Sequence, residues 1–300
     1  MDIAITGSSG LIGTALAGSL RADGHRVVPV VRTAGRAGTV VWDPAKGTID
    51  AEGLEGLDAV VHLAGAGIAA GPWTAKQRAR IRDSREQGTS LLATAIAGLD
   101  RPPAVLVSGS AIGYYGDRGD EVLTEASGPG DDFLAGICTA WEGATAPAAD
   151  AGVRVAHLRT GIVLDRDGGA LAKQLPIYRL GLGGKAGRGT QWMSWISLDD
   201  EVRAIRFALD TDSVSGPVNL TAPNPVTNAA FTKALGAAVH RPTFLTIPRF
   251  VRHVPAGIGP LVESLLFSSA RVEPTALVSA GFTFEHPSLD EALASVLSGS

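Results

Sequence analysis

Residues 6–13 read Thr6-Gly7-Ser8-Ser9-Gly10-Leu11-Ile12-Gly13, between the apolar run Asp2–Thr6 and a helical pattern from Gly10 to Ala22. The spacing G-x-x-G-x-x-G is typical of a turn that leads from a strand into a helix. Gly7 would permit the tight turn, Gly10 the approach of a pyrophosphate, and Gly13 close packing of the helix on the strand. The N–H groups and partial positive charge of the helix N-terminus would also favour phosphates. The sequence therefore predicts a dinucleotide-binding turn, with the contact residues Gly7, Ser9, Gly10, Leu11, Ile12 and Gly13.

Strand and helix signals alternate behind this turn. Apolar or β-branched runs predict strands at 27–31, 40–42, 57–63, 104–108 and 153–158, and helical spacing predicts helices at 74–99 and 133–149. Such alternation favours a parallel sheet with helices on both faces. We therefore predict an α/β fold, a doubly wound parallel sheet (Rossmann) with a smaller C-terminal substrate-side lobe. The nucleotide-binding domain would comprise residues 1–165 and 193–222, and the lobe residues 166–192 and 223–300.

The second half of the chain has a different pattern. After Arg159 the sequence becomes turn-rich, and it predicts a strand at 192–198 and a strand-like piece at 281–284. Asp199 and Asp200 would cap a helix at 201–209, because aspartate favours the position before a helix. The rest is mostly helical, with a last helix at about 288–297.

Composition excludes several classes of protein. The 300 residues are 45% hydrophobic and 19% charged, with 26 Lys and Arg against 30 Asp and Glu, so the chain is not disordered and not a basic nucleic-acid binder. No apolar run is long enough to span a bilayer, and the N-terminus does not resemble a secretory signal. The lone Cys138 excludes an intrachain disulfide. We expect a cytoplasmic location, no metal, no nucleic-acid or membrane partner, and a monomer or homodimer with an unknown small-molecule substrate.

The end of the second strand indicates which dinucleotide is bound. An NAD site usually has an acidic residue about 20 residues after the glycine turn. Here no Asp or Glu lies between Gly24 and Asp43, and Arg32 ends the strand with Arg36 close behind. A guanidinium can hold a 2′-phosphate with two hydrogen bonds, so we predict NADP(H) rather than NAD. The alternative is that Arg32 is a solvated loop residue.

Four further motifs follow in order: Val61-His62-Leu63-Ala64-Gly65, the segment REQGTSLL at 85–92, Ser108-Gly109-Ser110 before Tyr115-Gly116, and Arg159-Thr160-Gly161. With these the chain resembles the extended, epimerase-like form of the short-chain dehydrogenase/reductase superfamily, with Arg85 where the family usually has Asn. Within it, residues 181–184, 189–195, 223–228 and 265–281 resemble a divergent branch labelled "epimerase family protein" or "cell division inhibitor-like", which has no agreed reaction. The resemblance implies further cofactor contacts at Leu63, Ala64, Gly65, Arg85, Ser108 and Thr160.

The superfamily's usual proton donor is missing. Its chemistry normally uses Tyr-x-x-x-Lys, and this chain has Leu134 and Cys138 at those positions. Ser110 and Tyr115 are the candidate catalytic substitutes, with Tyr114 as a second phenol and Arg85 as the replacement cation. The alternative is that these residues only pack or bond near the cofactor. The resemblance thus implies an NADP(H)-binding oxidoreductase or nucleotide-sugar-epimerase-like enzyme of unknown substrate, or else a non-enzymatic NADP(H)-sensing regulatory protein.

Other residues have open interpretations at this level. His62 is expected to be a core or cofactor-side imidazole rather than a catalyst. Trp42 would lie near the adenine and could stack on it, and Trp192 and Trp195 could line a substrate pocket or fill the core. If the chain pairs as extended relatives do, the helices at 74–99 and 133–149 would form the interface.

Overall fold

The computed structural model describes residues 1–33 and 37–298 of the chain. In chain order, the strands β1 to β16 are Asp2–Thr6, Arg26–Val31, Val40–Asp43, Thr48–Ile49, Ala59–His62, Val105–Ala111, Val122–Leu123, Arg154–Thr160, Ile162–Leu164, Gly184–Ala186, Trp192–Met193, Trp195–Ser197, Gly216–Leu220, Val226–Thr227, Leu245–Ile247 and Arg271–Val272. The helices α1 to α10 are Leu11–Ala22, Ala75–Ala97, Phe133–Gly143, Ala146–Asp150, Gly169–Arg179, Leu198–Asp210, Asn228–Ala238, Ile258–Val262, Thr275–Ser279 and Leu289–Ser298.

The main sheet has eight strands in the order β13-β8-β6-β5-β1-β2-β3-β4. Every adjacent pair is parallel except β3 and β4. The strand order reverses at β1, where Thr6 lies opposite Val30 of β2 and His62 of β5. The predicted doubly wound parallel sheet is confirmed, and its switch point lies where the glycine turn begins.

Both faces of the sheet are covered because its strands alternate between two apolar cores. Ile3 and Ile5 of β1 pack on the side of α1 and α6, together with Leu16 and Ile205. Ala4 points the other way, into a core that α2 covers with residues such as Leu92. Strands buried on both faces read as continuous apolar runs, which is why the sequence identifies them well.

A third apolar core lies beyond the sheet. It is built around Trp195 and Phe231, with residues from α5, α7 and α10. Two short parallel pairs, β16 with β7 and β15 with β10, join the C-terminal segment to earlier parts of the chain. Within the ranges that the structure describes, no helix has both the length and the apolar character needed to cross a bilayer.

Three local expectations are wrong. The helix expected at 133–149 is divided into α3 and α4. Pro147 lies in the first turn of α4, because a proline inside a continuous helix would remove a backbone hydrogen bond and clash with the preceding turn. The strand expected at 192–198 is divided into β11 and β12, because β11 pairs antiparallel with β14 whereas β12 pairs in parallel with β9. The piece at 281–284 is irregular.

The cap of α6 is also different from the expected one. Ser197, not Asp199 or Asp200, caps this helix, accepting a hydrogen bond from the Asp200 N–H at 3.1 Å. The Asp200 carboxylate is buried and instead accepts the backbone N–H groups of Glu285 and His286. Asp200 therefore anchors the C-terminal segment to α6.

Candidate functional site

The glycine turn is shaped so that no side chain fills it. Gly7 has φ +69°, and a Cβ there would lie 2.9 Å from the Leu63 carbonyl carbon and oxygen. A Cβ on Gly13 would lie 2.2 Å from the Gly7 oxygen. Gly10 caps α1 without a side-chain hydrogen bond, so the helix N-terminus is not closed by its own capping residue. Close backbone packing therefore requires glycine at positions 7 and 13, and the N-terminus of α1 has no side-chain cap from Gly10.

A buried chain of three side chains fixes the neighbouring loop. The Thr6 hydroxyl accepts the N–H groups of Leu63 and Ala64 at 3.0 and 3.1 Å and lies 2.7 Å from His62 Nδ1. His62 Nε2 is 2.9 Å from the Thr89 hydroxyl. Thr6 accepts two bonds, so it donates to Nδ1, and Nε2 carries the His62 proton. Burial, and then the charge of Arg85, lowers the His62 pKa to about 4, so this imidazole is neutral.

A groove of about 400 Å³ lies between the glycine turn and the end of β2. Its lining residues are Ser8, Ser9, Ala17, Arg21, Pro29, Val31, Thr33 and Thr39. Arg32 is exposed and lies between two of them in the chain. Arg21, from the last turn of α1, adds a cation that no sequence motif indicates. Arg36 lies outside the described residues.

Two of the three tryptophans expected near a ligand, Trp42 and Trp195, are buried in the protein. Trp42 is 4% exposed and meets His62 edge-on, with ring centroids 5.7 Å apart, so the expected stacking on adenine is wrong. Trp195 is fully buried and fills the third core. Trp192 is half-buried, and its Nε1–H donates to Asp120 Oδ1 at 2.9 Å. The Arg271 guanidinium lies 4.5 Å from the centroid of the Trp192 ring.

A buried polar network begins at Ser110, at the end of β6. The Ser110 hydroxyl donates to Glu142 Oε1 at 2.7 Å. Arg159 holds the same carboxylate with two bonds of 2.8 and 2.9 Å, and donates to the Tyr115 hydroxyl at 3.1 Å. Tyr115 donates to Asn219 Oδ1 at 2.6 Å. The network joins the sheet to the C-terminal segment, since Asn219 also donates to the carbonyl of Glu273.

Ser110 and Tyr115 differ in what they can reach. Tyr115 has no exposed surface, and burial raises its pKa, which keeps the phenol protonated. A phenol enclosed in this way does not reach a bound substrate, so the structure argues against Tyr115 as the proton donor. Ser110 keeps 6% exposure at the carboxyl end of its strand. Tyr114 is half-buried, with the Arg159 guanidinium 3.5 Å from its ring centroid.

The positions of the missing pair hold no acid and no cation. Leu134 would be 3.3 Å from a Cβ added at Gly113. Burial raises the pKa of Cys138 to about 12, so its thiol is neutral. Arg85 lies nearby on α2: it donates to the carbonyls of Ala66 and Ile81 at 2.9 and 3.1 Å. Its guanidinium also lies 4.8 Å from the Trp141 ring centroid. Arg85 of α2 therefore places a positive charge close to Cys138.

The end of β8 contacts a buried acid of α6 that no sequence motif indicates. The Thr160 hydroxyl donates to Glu201 Oε1 at 2.9 Å. Glu201 has no exposed surface, and burial raises its pKa to about 8. Its Oε2 has no hydrogen-bond partner among the described residues. The signal available in the sequence is a glutamate within the apolar pattern of α6. Ser108 is also fully buried, one strand away on β6.

The switch-point turn, the parallel sheet and the loops at its carboxyl edge define a dinucleotide-binding protein of the Rossmann class. Comparisons with known proteins give the particular group. The chain belongs to the NAD-dependent epimerase/dehydratase family, whose model matches residues 3–220. A second model, a domain of unknown function (DUF1731), matches residues 248–296.

Relatives match over nearly the whole chain. An epimerase family protein of Mycobacterium bovis is 46% identical over 292 residues, 97% of this chain and 96% of the relative. The crystal structure of human epimerase family protein SDR39U1 with NADPH has a TM-score of 0.91 at 34% identity and covers 100% of both chains. A nucleoside-diphosphate sugar epimerase of Corynebacterium glutamicum has a TM-score of 0.83 at 40% identity, over 99% of this chain and 58% of that one.

Proposed function

We propose that this protein binds NADP(H) and is an oxidoreductase or epimerase-like enzyme acting on a small molecule. The observation that carries the proposal is the strand–glycine turn–helix unit at the switch point of the sheet, where Gly7 has φ +69° and Gly10 begins α1 without a side-chain cap. A pyrophosphate can approach backbone there, at the start of α1 and at the switch point of the sheet. Leu63, Ala64 and Gly65 would pass beside the cofactor, because the end of β5 adjoins this turn.

The preference for NADP(H) over NAD rests on the groove at the end of β2. Arg21 lines this groove together with Ser8 and Ser9, and Arg32 is an exposed residue between the lining residues Val31 and Thr33. Among the described residues that line the groove, none carries a carboxylate, so a 2′-phosphate there would meet the Arg21 cation rather than a like charge. The human relative was crystallised with NADPH, which supports the same choice.

Replacing Arg32 tests this preference. We expect Arg32→Ala to weaken NADPH binding by roughly 10- to 100-fold, because a charge-assisted bond contributes about 1.5–3 kcal/mol. NADH binding should change less than threefold, since NADH lacks the 2′-phosphate. Nucleotide fluorescence titrations of wild type, Arg32→Ala and Arg32→Lys would measure both affinities. Equal losses for NADPH and NADH in Arg32→Ala would contradict the assignment.

The bound cofactor would supply or accept the hydride, and the chain itself must handle the proton. We propose Ser110 for that role. Its hydroxyl is already hydrogen-bonded to the Glu142 carboxylate, so a substrate hydroxyl can give its proton to Ser110 Oγ as Ser110 passes its own to Glu142. Arg85 would provide the positive charge near Gly65 that the missing lysine does not.

Two conservative variants separate Ser110 from Tyr115. Once turnover has been found, Ser110→Ala should lower kcat by about 100-fold or more, because proton transfer by a positioned group contributes 10²–10⁴-fold. Tyr115→Phe should lower kcat less than tenfold and should act mainly on stability, since its hydroxyl bonds only buried protein groups in the structure. Steady-state kinetics and thermal melts of both variants would measure this. A larger kcat loss in Tyr115→Phe would reverse the two roles.

The second candidate function is a non-enzymatic NADP(H) sensor. It is favoured by the loss of the tyrosine–lysine pair, whose positions hold half-buried Leu134 and the neutral thiol of Cys138. NADPH-loaded protein incubated with a broad panel of carbonyl compounds discriminates the two. Nicotinamide oxidation above the blank supports the enzyme, and its absence across the panel supports the sensor.

Several expectations from the sequence stay predictions. The division into a nucleotide-binding part (1–165 and 193–222) and a substrate-side lobe (166–192 and 223–300) is supported by the separate core around Trp195 and Phe231. Ser108 as a cofactor contact, the cytoplasmic location, and the monomeric or homodimeric state are proposed on the sequence argument alone.

A further inference from the structure

Two segments of the chain carry cations and no carboxylates. Residues 168–198 and 213–262 contain eight of the chain's 26 Lys and Arg but none of its 30 Asp and Glu. The eight cations are Lys173, Arg179, Lys185, Arg188, Lys233, Arg241, Arg249 and Arg252. Seven of them are exposed, and Lys185 is half-buried. A chain with a net charge of −4 therefore has two segments in which every Lys, Arg, Asp or Glu is positively charged.

The same two segments carry most of the large apolar side chains that are exposed. Of twelve such side chains among the described residues, eight lie in these segments. The eight are Ile177, Leu180, Leu182, Phe244, Leu245, Phe250, Val254 and Ile258. Phe244, Leu180 and Phe250 are 76%, 74% and 71% exposed, the three highest values among the twelve. Large apolar side chains that cluster at a protein surface usually mark a binding surface.

Backbone pairing brings the two segments side by side. β10 pairs in parallel with β15, so the residues that precede the two strands lie at the same end of the pair. Leu182 shortly precedes β10, and Phe244 directly precedes β15. We call residues 177–188 and 241–254 together the basic–apolar face. Its positive charges and its exposed apolar side chains therefore occupy one part of the surface.

Neighbouring carboxylates neutralise little of this charge. Arg252 lies 3.6 Å from Glu263, and the other seven cations have no ion pair among the described residues. The Arg241 Nε–H donates to the Arg179 carbonyl at 2.9 Å, which is a bond to a neutral group. The positive charge of the face thus remains available to an anionic partner.

The surface of an anionic membrane matches both properties of the face. Apolar side chains of interfacial proteins enter the boundary between headgroups and acyl chains, while Lys and Arg stay at the level of the phosphates. Such binding does not require a helix that crosses the bilayer. The expectation of no membrane partner rested on net charge and on the length of apolar runs, which do not describe a local face.

Other partners match the face less well. A second copy of the same face would bring cations against cations, which is unfavourable. A folded protein partner needs a shaped pocket for each protruding anchor, whereas fluid lipid can enclose side chains as exposed as Phe244 and Phe250 without one. We propose that the basic–apolar face binds the surface of an anionic phospholipid membrane.

Sedimentation with vesicles tests this inference on the full chain. One set of vesicles contains only phosphatidylcholine, and the other is an equal mixture of phosphatidylcholine and phosphatidylglycerol. We expect binding to the anionic vesicles to be about tenfold or more tighter than to the neutral ones, because anionic headgroups attract cations near the surface. Added salt should weaken this binding, since it screens exposed charges.

Paired substitutions test the apolar part of the face. Phe244→Ser combined with Phe250→Ser should weaken binding to the anionic vesicles about tenfold or more, because two exposed rings no longer enter the lipid. The matched control is Val122→Ser combined with Val278→Ser, which changes two exposed apolar residues outside the face. This control should leave vesicle binding unchanged.

A second pair tests the charge. Arg179→Gln combined with Arg249→Gln should lower the ratio of anionic to neutral binding toward one, and thermal melts of all variants check that the fold is retained. Failure of the wild type to bind anionic vesicles would overturn the inference in favour of an acidic protein partner. Equal binding to both kinds of vesicle would also overturn it, as would a loss in the Val122 and Val278 control equal to that in the phenylalanine pair.

Discussion

Arg159→Ala is expected to lower the free energy of unfolding by about 3–5 kcal/mol, because it leaves the Glu142 carboxylate buried without its cation. The Arg159 and Glu142 side chains are 4% and 12% exposed, and two charge-assisted bonds join them. The Tyr115 hydroxyl would also lose a donor. Chemical denaturation of wild type and variant, with the midpoint and slope compared, would measure the loss.

A double variant shows whether the unpaired charge is the cause. Arg159→Met combined with Glu142→Leu removes both charges and keeps most of the volume, so it should recover most of the lost stability. Glu142→Leu alone should destabilise strongly, because it leaves the Arg159 guanidinium unpaired. If the double variant is as unstable as the sum of the single variants, the buried pair does not act as a unit.

Glu201→Met should have the opposite effect and stabilise the protein at neutral pH. The folded-state pKa of Glu201 is about 8 against an ordinary value of 4.5, so the native state keeps a proton that the unfolded state loses. Stability from this group is complete below pH 4.5 and is lost as the pH rises to about 8. At pH 7 the loss is about 3 kcal/mol, part of which Met would recover after forfeiting the Thr160 bond.

Thermal melts of wild type and Glu201→Met between pH 5 and 8.5 measure this effect. At pH 7.5 the Tm of the variant should be higher by about 4–8 °C, given 2–4 °C per kcal/mol for chains of this kind. At pH 5 the difference should shrink or reverse, because wild-type Glu201 then costs little. An equal difference in Tm at pH 5 and pH 7.5 would mean that the folded state does not raise the pKa of Glu201.

The sequence predicts well the parts of this molecule that depend on local pattern. The strand Asp2–Thr6 has the predicted bounds, and α2 departs by only one or two residues, because apolar runs and caps are local signals. The glycine turn was identifiable because its three glycines stand within seven residues. In each case the residues that determine the local structure lie close together in the sequence.

The buried partners could not be found in the same way. Tyr115 and Asn219 are 104 residues apart, and Thr160 and Glu201 are 41 apart. Nothing in the local pattern tells that one tyrosine is enclosed or that Ser197 rather than an aspartate caps α6. Tertiary packing decided these outcomes, and of the two catalytic candidates it favours Ser110, which is bonded to Glu142, over the fully buried Tyr115.

Calorimetric titration of the purified wild-type chain with NADPH and, separately, with NADH tests the central claim most directly. We predict saturable one-site binding of NADPH, at least tenfold tighter than that of NADH, because only NADPH brings a 2′-phosphate to Arg32 and Arg21. Absence of binding by either nucleotide would contradict the proposed function, and tighter binding of NADH would contradict the assignment of the groove at the end of β2.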